Sequence, residues 1–78
     1  MLTWKDIARI TTAVVREQQP HLTVVAVTRA GIERVEVLIE GIDGPDRLML
    51  NVTRAAPAHF EREFRDALSR AFPPVAAR

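Results

Sequence analysis

At 78 residues the chain has room for one domain, and its charge is close to balanced, with 11 basic and 10 acidic residues. The absence of cysteine excludes disulfides, thiolate metal sites and a cysteine nucleophile, and it fits a reducing compartment. No run reaches the ~18 apolar residues of a membrane span, and no basic segment followed by an apolar core opens the chain, so the expected location is the cytoplasm.

A chain this short buries only roughly 60% of its unfolded surface, so its stability is marginal without a staple. With disulfides excluded, self-association is the staple that remains. Lys5 is the only lysine and the other basic residues are arginines, a bias that a GC-rich bacterial genome also produces.

Thr3 and Asp6 have capping-box spacing, with Asp in place of the usual Glu or Gln. Trp4, Ile7, Ala8, Thr11, Val14 and Val15 recur at helical spacing with Ile10 beside them, and Lys5, Arg9, Thr12 and Arg16 form the opposite face. That pattern predicts an amphipathic helix over about Thr3 to Gln18, ended by Pro20. His21 to Arg29 is rich in β-branched residues and predicts a strand. Strict alternation along it places Leu22, Val24 and Ala26 on one face and Thr23, Val25, Val27 and Arg29 on the other.

The strongest pattern lies between Ile32 and Thr53. Val35, Val37 and Ile39 alternate with Arg34, Glu36, Leu38 and Glu40, and Leu48, Leu50 and Val52 alternate with Arg47, Met49, Asn51 and Thr53. Period two predicts two strands with one buried face each. The segment Gly41-Ile42-Asp43-Gly44-Pro45-Asp46 between them has the composition of a turn, and antiparallel pairing follows from its shortness. Pro57 suits the first turn of a second helix, whose apolar stripe is Phe60, Phe64, Ala67, Leu68 and Ala71. Glu61 and Arg65, Arg62 and Asp66, and Asp66 and Arg70 are opposite charges four apart on it.

The expected fold is therefore α+β: a two-layer α-β-β-β-α sandwich, with a three-stranded antiparallel meander carrying both helices on one face. Residues 1–72 form the single domain and 73–78 a flexible tail. The expected core is Ile7, Ile10, Val14, Leu22, Val24, Val35, Val37, Ile39, Leu48, Leu50, Val52, Phe60, Phe64 and Leu68.

Chemistry-bearing residues are sparse. His21 and His59 are far apart with no carboxylate at metal spacing, so no metal or other cofactor is expected. Ser69 is the only serine, and no nucleophile elbow or phosphate-binding glycine loop occurs, so a non-catalytic role is expected. Asp43 and Asp46 read as turn residues, and Glu36 and Glu40 as members of a solvated cross-strand ladder with Arg34 and Arg47. What stands out is the outer sheet face. Val25, Val27, Leu38 and Met49 face away from the helices on strict alternation, beside Arg29, Arg34 and Arg47. An apolar patch of that kind marks a partner surface, and its mixed-charge rim suits a protein partner, a second copy of the chain first of all. The first strand, apolar on both sides and at the sheet edge, offers a second route to pairing.

The order α-β-β-β-α at this length resembles the double-stranded RNA-binding domain. In that family the first helix, the loop between the first two strands and a lysine-rich start of the second helix contact RNA. The resemblance implies nucleic acid as the alternative partner, through Lys5, Arg9, Arg16, Arg29 and Arg54. It covers the architecture and not the motifs: the second helix opens Pro57-Ala58-His59-Phe60-Glu61, and the connector Arg29-Ala30-Gly31-Ile32 is short.

Overall fold

The computed structural model describes residues 2–41, 44–52 and 56–72. The order is α1 (Trp4–Gln18), β1 (Thr23–Gly31), β2 (Arg34–Gly41), β3 (Gly44–Asn51) and α2 (Pro57–Ala71). The strands form one antiparallel sheet in the order β1-β2-β3, and both helices pack on one of its faces and on each other. This is the α-β-β-β-α meander the pattern predicts.

The capping box closes α1 as the sequence indicates. The Asp6 backbone N–H donates to Thr3 Oγ1 and the Thr3 N–H donates to Asp6 Oδ2, each at 3.1 Å. These hydrogen bonds, with Arg9 beside the carboxylate, hold the Asp6 carboxyl below its usual range. At the other end the Gln19 N–H donates to Val15 O before Pro20 stops the helix. Helix α2 begins at Pro57 and lacks a side-chain cap, since Ala56 occupies the cap position.

Val35, Val37 and Ile39 of β2, Leu48 and Leu50 of β3, Ile7, Ile10, Val14 and Val15 of α1, and Phe60, Phe64 and Leu68 of α2 form the core, with Leu22 at its edge. Val24 and Val52, expected inside, are half-buried and pack against it from the sheet margins. Thr11 is fully buried, and its hydroxyl donates to Ile7 O and Ala8 O, so a polar side chain enters the core with its donor used. Trp4 lies on the apolar stripe of α1 but outside the expected core, and it is 43% exposed, lining a groove beside the end of the sheet.

Two features of the sheet differ from strict alternation. The first is in β1: Val24 pairs with Ile39, but the next pair is Ala26 with Leu38, so Val25 is an extra residue in a β-bulge. A second shift falls between Arg29 and Gly31. The second feature is the length of the β2–β3 ladder. Pairing runs through Glu40 opposite Pro45 to Gly41 opposite Gly44, so β3 starts well before the predicted Arg47. Pro45 is accommodated because β3 is an edge strand. Gly44 has φ +104°, a conformation that disfavours other residues, and a Cβ on Gly41 would fall 2.5 Å from Leu22 Cδ2. Ile42 and Asp43 of the expected turn, and the expected tail 73–78, lie outside the described residues.

The two helices are fastened where α1 ends. Arg65 of α2 donates to both carboxylate oxygens of Glu17 (3.0 and 3.2 Å) and to Glu61 on its own helix (3.0 and 2.9 Å). Buried Gln19 adds a bond from Nε2 to Phe72 O at 2.9 Å. Of the charge pairs expected on α2, Glu61–Arg65 and Asp66–Arg70 form, while Asp66 turns to Arg70 rather than Arg62. Arg65 holds the Glu17 carboxyl below its ordinary range, and the two carboxylates in turn raise the Arg65 guanidinium above its own. A lowered folded-state pKa contributes stability above the unfolded value that is lost as pH falls through the folded one. Glu17→Gln is therefore expected to lower the melting temperature slightly at neutral pH. The gap to the wild type should close on acidification below the usual carboxylate range of about 4, as thermal melts across pH will measure.

Candidate functional site

Residues opposite one another in an antiparallel ladder share a face. Val35, Val37 and Ile39 face the helices, so Arg34, Glu36, Leu38 and Glu40 face away, and with them their β3 partners Asn51, Met49, Arg47 and Pro45. On the β1 side, Ala26 stands opposite Leu38 and Thr28 opposite Glu36, also facing away. The bulge puts Val25 next to Ala26 on that same outer face, 52% exposed.

Of the seven residues expected on this surface, the structure brings Val25, Arg34, Leu38, Arg47 and Met49 together and removes two. Val27 pairs with Val37 and Arg29 with Val35, so both belong to the helix side of the sheet. Val27 packs against the core, and the Arg29 guanidinium lies over the Trp4 ring at 5.9 Å from its centroid. The physical reason is the extra residue: one bulge inverts the facing of everything after it. The same inversion delivers Ala26 and Thr28 to the outer face, where alternation did not place Ala26. The only local sign of it is that β1 carries valines of both parities, at 24, 25 and 27.

The outer face thus has an apolar centre of Val25, Ala26, Leu38 and Met49 that neither helix covers, with Met49 50% exposed. Charges of both signs surround it. Arg47 Nε lies 3.8 Å from Glu36 Oε2, a diagonal pair spanning the strand beside Leu38. The edges of the sheet differ as well. β1, the expected pairing edge, is interrupted by its two register shifts, which blunt an edge against further strands. β3 runs from Gly44 to Asn51 in unbroken register and is the more regular edge.

The other candidates disperse. Among the described residues no group of three or more His, Asp and Glu side chains is placed to hold a metal ion. His21 and His59 are both exposed, His21 in the turn between α1 and β1 and His59 on α2. Of the basic residues that nucleic-acid binding would use, Arg9 is paired with Asp6 and Arg29 is stacked on Trp4, while Arg54 lies outside the described residues. No described helix is long and apolar enough to cross a membrane. No protein-family model, curated protein or solved structure matches this chain.

Proposed function

We propose that this protein is a non-catalytic interaction module that associates with a second copy of itself through the outer face of its sheet. The observation that carries this reading is the group of Val25, Ala26 and Leu38, with Met49 diagonal to Leu38, on a face that neither helix covers. Burying such a group recovers hydrophobic free energy that a domain this small needs.

The surrounding charges favour a self-complementary contact. A two-fold axis through the face places one patch against its own copy. Glu36 and Glu40 alternate along β2 with Arg34 at its start, and Arg47 lies across the strand from Leu38, so a rotated copy can set arginine against glutamate. Three strands of eight or nine residues present roughly 15 by 25 Å of surface. Roughly 400 Å² per partner lies below the ~800 Å² per partner of standard stable interfaces, so the dimer is expected to be weak and to dissociate on dilution.

Sedimentation or light scattering across the micromolar range tests the proposal. The wild type should pass from monomer to dimer with rising concentration. Met49→Glu and Leu38→Glu should stay monomeric and keep cooperative unfolding, since each would set like charge against its own copy. A wild type that remains monomeric throughout would overturn the reading, as would glutamate variants that dimerise normally.

A further inference from the structure

On the opposite side of the sheet, at the end away from the fastened helix termini, lies a groove of about 360 Å³. Leu2, Trp4, Ile7, Ile32, Val35 and Val52 line it, with Arg29 beside them. We propose that this groove binds a small amphipathic carboxylate, its apolar tail against the Trp4 and Ile7 side and its carboxylate held by Arg29.

Backbone hydrogen bonds close two sides of the groove. The capping box fixes the first turn of α1, and the Val52 N–H donates to Glu33 O at 2.9 Å, tying the end of β3 to the β1–β2 turn. Its volume falls at the lower end of the ~300–1,000 Å³ typical of small-molecule sites, which suits a ligand of few heavy atoms.

Charge complementarity selects the ligand class. Arg29 forms no salt bridge with a carboxylate among the described residues. The acid nearest in sequence on α1, Asp6, is engaged by Thr3 and Arg9. Trp4 contacts the Arg29 guanidinium through its ring face, which orients that group without neutralising it. A guanidinium without a carboxylate partner beside an apolar trough matches an anion with a hydrocarbon body, and a planar carboxylate fits the guanidinium fork. A multiply charged phosphate or a nucleic-acid backbone would gain nothing from the apolar lining. Ile32 supports the same choice: it is 96% exposed at the β1–β2 turn, and a hydrocarbon tail in the groove would give its side chain an apolar partner.

Trp4 is the only tryptophan and lines the groove, so its fluorescence reports occupancy directly. The probe is octanoate, kept below its micellar range, with acetate, octanol and octylammonium as controls. Octanoate should change the Trp4 emission saturably and raise the melting temperature, while acetate, lacking the tail, and octanol and octylammonium, lacking the anion, should fail at equal concentration. Arg29→Gln should weaken octanoate binding about tenfold, as expected for one charge-assisted hydrogen bond. Arg29→Lys keeps the charge and should bind octanoate more tightly than Arg29→Gln. No saturable response, an equal response to octylammonium, or undiminished binding by Arg29→Gln would overturn the assignment.

Discussion

Phe64→Ala should leave the protein largely unfolded in buffer. Phe64 is fully buried, and its ring lies nearly parallel to that of Phe60 one turn away, with centroids 6.3 Å apart and planes 8° apart. It belongs to the same buried cluster as Val35, Val37 and Leu48, so truncation removes both apolar burial and the contacts of the cavity walls. Such truncations cost about 3–5 kcal/mol. A domain of this length has roughly 5 kcal/mol in total, with no disulfide to limit the loss. Far-UV circular dichroism and urea unfolding will read the result. Phe64→Leu refills most of the space and should retain a cooperative transition at a lower midpoint. An alanine variant within about 1 kcal/mol of the wild type would show that the helix–sheet interface is not where the stability resides.

The second large effect concerns single deletions, and the two strands should respond in opposite ways. Deleting Glu36 from β2 turns one side of the strand over relative to the other. Either Val35 or the pair Val37 and Ile39 then leaves the core, and a residue of the outer face takes its place. Losing one or two buried aliphatic side chains costs about 1.5–3 kcal/mol each, before the cost of a glutamate or arginine driven inward. The domain should not fold. Deleting Val25 from β1 should be tolerated, with stability changed by about 1 kcal/mol or less. Val24 and Ala26 already stand opposite consecutive residues of β2, Ile39 and Leu38, so removing the residue between them restores regular alternation and leaves every later side chain on its own face. Urea midpoints of the two variants give the comparison. A folded Glu36 deletion or an unfolded Val25 deletion would contradict the register.

How far the sequence could be read depended on how many local signals agreed at each position. Along β2, hydrophobic residues at every second position and charges between them leave a single solution, and the structure adopts it. The start of α1 was equally legible, because Thr3 and Asp6 specify two reciprocal hydrogen bonds. Along β1, valines at 24, 25 and 27 satisfy either parity, so the choice fell to packing against β2, and packing inserted a bulge. Two residues of the expected outer surface, Val27 and Arg29, changed sides in consequence. The early start of β3 was masked by Gly44 and Pro45, which read as turn residues but are compatible with the end of an edge strand. Trp4 has the right periodicity for the core, but periodicity carries no information about where the sheet beneath the helix stops. Its pairing with Arg29 joins residues 25 positions apart, beyond the reach of any local pattern.

The placement of the Arg65 and Gln19 bonds has a mechanical consequence. Both lie where α1 ends, and they join that end of α1 to α2 with geometry that resists sliding. The start of α1 is held to the rest of the molecule by apolar contacts and by the Trp4–Arg29 stack, which tolerate small changes of angle. A helix clamped at one end and softly seated at the other behaves as a cantilever. Thermal bending then moves its first turn most and its last turn least, so the compliance of the domain concentrates where Trp4 sits.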